Sequence, residues 1–511
     1  MNFGIILHVL GYVCTFEAGF LVLPLMVSLI YREFYVSPAY LAVIAICLVL
    51  GFLILRRKPK TKGLYAKEGM VTVALSWIVL SLLGALPFTI AGEIPSYIDA
   101  IFETVSGFTT TGSSILTDLD AMSHASRFWR SFTHWVGGMG VLVFILAIVP
   151  MKGGEFVNLM RAESPGPSVS KMVPRLRDTA FVLYAIYMGL TAAECVILLF
   201  SGMPAFDAIC ITMGTAGTGG FSARGSGMAD YTLFQQGVIT VFMIMFGVNF
   251  NAYFLVLRKK WKQAIRSEEV LVYLGVIAAS VTIITANIAG MYPSVFRAFH
   301  EAFFQVGSII TTTGYATADF NEWPTISRVV LMTLVFIGAC AGSTGGGLKV
   351  SRVIIMVKGI GKEITSLIHP RSVKKVRMDG RAVEEVVVQS VNAYIALYLV
   401  IFVVSVLLIA IDNKDIVTTF TSVAVTFNNI GPGLGEVGPM GNFYAMSNFS
   451  KIVLSFDMLA GRLELLPILM IFVPSAWQSK HGKKGKGGKK GSLKKPERSQ
   501  KNVFSEHEGI C

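Results

Sequence analysis

Long apolar stretches, almost free of charge, recur along the chain at 71–91, 141–150, 181–200, 238–257, 270–288, 329–341, 391–411 and 452–473. Two more precede them, at 3–30 and 38–55. Several reach the roughly 20 residues that a helix needs to cross a bilayer. After the first two, the stretches come in pairs, and each pair encloses a shorter, Thr- and Gly-rich segment. This pattern predicts an all-α integral membrane protein of ten full crossings, with four short helices that enter the membrane and turn back.

Composition agrees with lipid as the solvent. Of 511 residues, 53% are hydrophobic and 15% charged, and the mean hydropathy is +0.64. A soluble domain carries about 25% charged residues and has no need of charge-free runs this long. The six cysteines show no CxxC spacing and read as small packing residues, not as a disulfide or zinc framework. The first apolar stretch lacks a basic leader and is too long for a signal peptide, so it is expected to stay as a membrane helix.

Charge placement gives the expected topology. Net charge is +13, and 35 of the 44 Lys and Arg residues fall in segments 56–67, 152–177, 258–266, 349–381 and 480–501. The positive-inside rule places these segments on the cytoplasmic side, with both termini there. Their scatter between helices speaks against nucleic-acid binding. The Lys/Gly-rich end reads as a disordered, lipid-facing or solubilising extension. The expected units are 1–68 (two helices and a basic loop), four pore repeats at 69–177, 178–267, 268–385 and 386–477, and a tail at 478–511. Only the third repeat is expected to have a broken second helix.

The short segments carry the specific signal. They read YIDAIFETVSGFTTTGSS, AFDAICITMGTAGTGGFS, FHEAFFQVGSIITTTGYA and DIVTTFTSVAVTFNNIGPG, and align on Gly112, Gly220, Gly314 and Gly431 at spacings of 108, 94 and 117 residues. Thirteen residues before the glycine stand Asp99, Asp207, Glu301 and the deviant Thr418; two before it stand Thr110, Thr218, Thr312 and Asn429. An acid or Thr suits a helix start, where free N–H groups meet a side-chain oxygen. About ten helical residues, roughly 15 Å, would then reach half-way through a bilayer. Four such helices would aim their negative ends and inward carbonyls at one axis, a site for a dehydrated cation. A lone TTTG carries no weight, because Thr/Gly turns also serve helix packing. Four copies in the same context do.

These strings, with HWVGGMGVLVF, TGGFSARG, TTTGYATADF, AGSTGGGLKVSR and AGRLE, resemble the Trk/Ktr/HKT superfamily of potassium transporters, most closely its TrkH-like branch. The resemblance runs from the N-terminus to about Trp477, and the two extra N-terminal helices favour TrkH-like over KtrB-type proteins. It implies two N-terminal helices plus four M1–P–M2 repeats with pseudo-fourfold symmetry. It implies a potassium filter at Thr110, Thr111 and Gly112; Thr218, Gly219 and Gly220; Thr312, Thr313 and Gly314; and Asn429, Ile430 and Gly431. In the family, serine in place of the first filter glycine goes with sodium transport, so Gly112 favours potassium. Asn429 and Pro432 depart from the pattern, and a sodium-permeable or Na⁺/H⁺-coupled member stays open. The resemblance also implies a homodimer in the cell inner membrane, with a cytosolic TrkA-type nucleotide-binding regulatory subunit docked on the basic loops. Potassium would be the transported ion, with no organic cofactor in this chain.

Below the filter, Gly342, Ser343, Thr344, Gly345, Gly346 and Gly347 interrupt an apolar helix. Glycines cost about 1 kcal/mol each in a helix, and unwound backbone at membrane depth belongs beside a cavity or inside protein. The segment reads as a gating loop, in agreement with the resemblance, and Lys349 in the same string is counted with it. Close helix packing is the plainer alternative. A Walker A motif is absent, since no Gly-Lys-Ser/Thr follows. Arg462 is expected mid-helix, where a buried arginine costs roughly 2.5–3.5 kcal/mol and so should face the pore or an acid such as Glu464 or Asp457. There it would set a barrier and hold the loop closed. Asp118, Asp120, Asp230, Asp319 and Glu322 would enrich cations at the outer mouth, or simply be solvated loop acids. An intramembrane protease using Ser343, His134 and His300 is the rival class, but GxSG, GxGD and HExxH motifs are all missing. The chain is therefore not expected to be an enzyme.

Overall fold

The computed structural model describes residues 1–57, 65–140, 176–371 and 374–477. The apolar stretch 141–150 and the tail at 478–511 lie outside the described residues, as does most of the basic segment 152–177. Apart from a two-residue ladder pairing Arg377–Met378 with Arg381–Ala382, the regular structure among the described residues is helical.

Phe3–Ile30 and Ser37–Leu55 form an antiparallel hairpin whose small residues permit close approach: Gly11 faces Ile54 and Leu55, and Gly51 faces Thr15. The hairpin packs on the first repeat, where the Tyr40 hydroxyl meets Ser126 Oγ at 3.0 Å. Four long helices open the repeats: Ala66–Ile90, Leu176–Phe200, Glu268–Ile288 and Glu385–Ile409, of 25, 25, 21 and 25 residues. Each is long enough to span a hydrocarbon core of about 30 Å.

Between these and the second helices sit four short helices of 12, 13, 16 and 12 residues: Tyr97–Phe108, Ala205–Gly217, Val295–Ile310 and Ile416–Phe427. Ser96, Ser294 and Asp415 cap three of them by accepting a backbone N–H from the first turn, and Asp207 supplies a first-turn charge in the other. Glu301 departs from expectation. Its helix begins six residues earlier, at Val295, so this acid lies one and a half turns in and is buried instead of capping the start.

The second helices depart further, because the break expected only in the third repeat occurs in others too. In the second repeat, Leu233–Phe246 and Phe250–Leu257 meet at 91°, and Asn249 starts the new helix by accepting the Asn251 N–H at 2.8 Å. In the third, Thr325–Ile337 and Val350–Ile368 flank the glycine-rich segment. In the fourth, Asn448–Arg462 stops before Leu466–Phe472, with Glu464 and Leu465 at positive φ and Pro467 in the first turn of the new helix. The two positive φ values end the helix there, and the proline, which has no N–H for the preceding turn, suits the first turn of the next one. By length and composition six described helices could each cross a membrane, or seven with the bent pair counted as one. Ten crossings would count the three broken second helices as spans, together with the second helix of the first repeat, His124–Gly138.

Candidate ion pathway

Each short helix ends the same way. The residue two before the glycine adopts the left-handed conformation, with φ of 55° at Thr110, 54° at Thr218, 60° at Thr312 and 56° at Asn429. Its N–H donates three residues back, and the next N–H donates five residues back (Thr111 to Ser106 O at 2.9 Å, Gly219 to Gly214 O at 2.8 Å, Thr313 to Ser308 O at 2.9 Å, Ile430 to Val425 O at 3.0 Å). This is the Schellman arrangement, which normally takes glycine at its left-handed position. A β-branched or amide side chain there costs about 1–2 kcal/mol. The same strain appears in all four copies.

The glycines that follow have φ of 81°, 80°, 85° and 94° at Gly112, Gly220, Gly314 and Gly431, a region that side chains disfavour. They also meet one another. A Cβ on Gly112 would overlap the Gly219 carbonyl oxygen, one on Gly220 that of Thr313, and one on Gly314 that of Ile430; one on Gly431 would lie 2.9 Å from that of Thr111. First faces second, second third, third fourth, and fourth first. The contacts close a ring, with the join between fourth and first strands the least crowded.

Buried polar residues pin the chain as it leaves this ring. Glu103 accepts from the Ile115 N–H at 3.0 Å and pairs with Arg130 at 2.7 Å; that guanidinium lies 3.9 Å above the Phe221 ring. Arg224 reaches Asp207 at 2.6 Å, and Arg297 reaches Glu301 at 2.6 Å, where the Thr317 hydroxyl also donates at 2.5 Å. Thr418 Oγ1 accepts the Glu436 N–H at 3.0 Å. Asp99 instead pairs with Lys451 of the fourth repeat at 2.6 Å. The spacing predicts that the acids thirteen residues before the glycine are helix-start charges. Three of the four copies of that position hold down the returning strand, a role that their spacing does not reveal.

The glycine-rich segment lies directly beneath. The Gly346 N–H donates to Thr312 Oγ1 at 2.6 Å, and a Cβ on Gly345 or Gly346 would press on the Thr311 or Asn428 carbonyl at 2.8 and 2.7 Å. The buried Lys349 donates its ammonium to the Gly345 carbonyl. The Ser343 hydroxyl turns back on the Cys340 carbonyl at 2.6 Å, and Thr344 Oγ1 donates to Phe246 O at 3.2 Å. Gly342 and Gly347 have φ of 70° and 75°, so both bends of the loop require glycine.

Arg462 is not in mid-helix but is the last residue of Asn448–Arg462. Its guanidinium donates to the Thr344 carbonyl at 2.7 Å and to the Gly137 and Gly138 carbonyls at 2.6 and 2.7 Å. It thereby ties the loop to the first repeat. Glu464, offered by sequence as a partner, pairs with Arg352, and Asp457 accepts the Ser405 hydroxyl at 2.7 Å. Ser343, His134 and His300 do not form one site: His300 meets Gln236 at 2.9 Å, while His134 accepts the Phe221 N–H at 3.3 Å. Among the outer acids, Asp118 accepts the Asp120 and Ala121 N–H groups and Asp319 caps Phe320–Glu322, so these two order loops. Among the described residues, no three His, Cys, Asp or Glu side chains cluster as metal ligands.

A family model described as a cation transport protein, TrkH, matches residues 37–289 and 269–480. The Trk system potassium uptake protein TrkH of Salmonella typhimurium is 38% identical over 486 residues, covering 94% of this chain and all of that protein. The TrkG protein of Escherichia coli K12 is 32% identical, covering 93% and 99%. The crystal structure of the potassium transporter TrkH from Vibrio parahaemolyticus superposes with a TM-score of 0.84 at 32% identity, over 94% of this chain and all of that one. These relatives are transporters, not enzymes, and this chain belongs to the TrkH family of membrane cation transport proteins.

Proposed function

We propose that this chain is the pore-forming subunit of a potassium uptake system in the cell inner membrane. The observation that carries the reading is the closed ring of four glycines, each against the carbonyl before the next. Backbone oxygens in such a ring replace the hydration shell of a bare monovalent cation. Four helix C-termini end at the ring and add partial negative charge. Thr110, Thr111, Gly112, Thr218, Gly219, Gly220, Thr312, Thr313, Gly314, Asn429, Ile430 and Gly431 form the filter in this reading. The loop at Gly342, Ser343, Thr344, Gly345, Gly346 and Gly347 is the gate, held shut by Lys349 and Arg462.

Potassium as substrate draws support from the names of the relatives, all uptake proteins of Trk systems. The same names favour assembly with a cytosolic TrkA-type nucleotide-binding subunit on the basic loops. A homodimer with both termini cytoplasmic completes the reading, and the placement of the Lys and Arg residues supports that orientation. The test is complementation of a potassium-uptake-deficient bacterium, with rubidium and sodium fluxes from purified protein in vesicles. Growth at low potassium and rubidium flux above sodium flux are expected; a protein that carries no alkali cation overturns the proposal.

A further inference from the structure

The second filter strand lacks side chains at two positions where the other strands have them. Gly217 and Gly219 stand three and one residues before Gly220; the matching pairs are Thr109 and Thr111, Thr311 and Thr313, and Asn428 and Ile430. In the first and third strands the two hydroxyls clasp at 2.8 and 2.7 Å. In the fourth, Asn428 is held by the Tyr398 hydroxyl at 2.8 Å. The second strand has no internal clasp of this kind.

Conformation does not explain these glycines, for neither has a positive φ. Space does. A Cβ on Gly219 would overlap the His134 imidazole at Nδ1 and Cγ, and one on Gly217 would overlap the His134 backbone carbonyl. His134 is fully buried and comes from His124–Gly138, the second helix of the first repeat. Its Nε2 accepts the N–H of Phe221, the residue just after the filter glycine, at 3.3 Å, and the two rings lie 4.2 Å apart at 49°. An accepting Nε2 places the ring proton on Nδ1.

We propose that His134 is a positioning residue of the filter, a buried imidazole from the neighbouring repeat that fills the place of the missing clasp and sets the second strand's carbonyls. The inference rests on the transport reading and adds a specificity-determining group to it. His134 does not touch the ion; it acts through Gly219 and Phe221.

The geometry gives a test with an internal control. Gly219→Ala meets a side chain that mutation can remove, whereas Gly217→Ala meets backbone that it leaves in place. Rubidium and sodium uptake would be measured in vesicles for the wild type, H134A, G219A, G217A, and both glycine variants in the H134A background. Folding would be checked by size-exclusion profile and helix content. His134→Ala is expected to lower the rubidium-to-sodium ratio by about tenfold, the scale of coupling between residues in contact. Gly219→Ala should cut rubidium uptake about tenfold in the wild-type background and cost nothing further in the H134A background. Gly217→Ala should impair uptake in both.

An unchanged ion ratio in H134A overturns the proposal, and so does a Gly219→Ala penalty that persists without the imidazole. If His134→Ala fails to fold, His134→Ser also removes the ring that meets Gly219, its single small hydroxyl being free to take another rotamer, and the same comparison decides. A selective wild type without coupling sinks only the role of His134. A wild type that carries no alkali cation sinks the transport reading and the selective role together.

Discussion

Removing Arg462 should open the pathway, and the structure sets the scale. Its hydrogen bonds to the Gly137 and Gly138 carbonyls anchor the guanidinium to the first repeat, and its bond to Thr344 O crosses to the glycine-rich loop. A hydrogen bond with a charged partner contributes about 1.5–3 kcal/mol net. Losing that one link shifts the balance of closed and open loops by about 10- to 150-fold. Lys349 to Gly345 and Gly346 to Thr312 remain to hold the loop, so the shift need not open every molecule. In the proposed pathway, removing a fixed positive charge acts in the same direction. Rubidium uptake into vesicles should therefore rise in R462A and R462Q at equal protein load. Arg462→Lys separates the two causes, since it keeps the charge and loses the forked geometry. Flux that stays at the wild-type level in R462A, with the protein folded, would refute the role assigned to this residue.

Three other outcomes follow from particular contacts. Gly314→Ala combines a φ of 85° with overlap of the Ile430 carbonyl, so rubidium uptake should be lost in folded protein, as read in the same vesicle assay. Arg130→Met leaves the Glu103 carboxylate buried without its cation; breaking such a pair costs about 3–5 kcal/mol, and thermal unfolding followed by size exclusion should move down accordingly. Asp415→Ala removes the cap of the fourth short helix, worth about 0.5–2 kcal/mol in unfolding measurements. Hydrogen bonds from the Thr418 hydroxyl and N–H hold this carboxyl below its ordinary value. The stabilisation is thus complete above the ordinary aspartate range and fades as pH falls through the lowered value, so the mutant and wild type should converge in acid.

Local patterns in the sequence carry the membrane class, the four short helices and the Thr-x-Gly turns, because each depends on residues within a few positions of one another. Ser96, Ser294 and Asp415 cap helices that hydrophobic pattern alone places to within a few residues. What fails to show is whatever joins one repeat to another. Gly219 reads as one more filter glycine, yet its neighbour is His134, 85 residues earlier. Arg462 suggests an ion pair with nearby Glu464, but the fold brings Arg352 to Glu464 and three carbonyls to Arg462. Glu301 matches Asp99 and Asp207 without a gap, but about one added turn of helix puts it inside instead of at the start. The kink at Gly247, Val248 and Asn249 has no proline to announce it; the signal available was Asn249, a good helix starter in the middle of an apolar run.

The four strands reach one backbone shape by three routes. Threonine clasps hold the first and third, His134 holds the second, and Asn428 with Tyr398 holds the fourth. At the left-handed position three copies have Thr and one Asn, and their φ values still agree to within 6°. Side chains that differ this much around a shared conformation are scaffolding; the constant element is where the carbonyl oxygens stand. A site that read its ligand through side chains would instead hold the side chains constant and let the backbone vary. Substitutions that preserve the strand's hold should therefore be tolerated at Asn428 or Thr109, while any that add a Cβ at Gly112, Gly220 or Gly314 should cost potassium passage. The least crowded join, between Gly431 and Thr111, is where a side chain would be accommodated with the smallest loss.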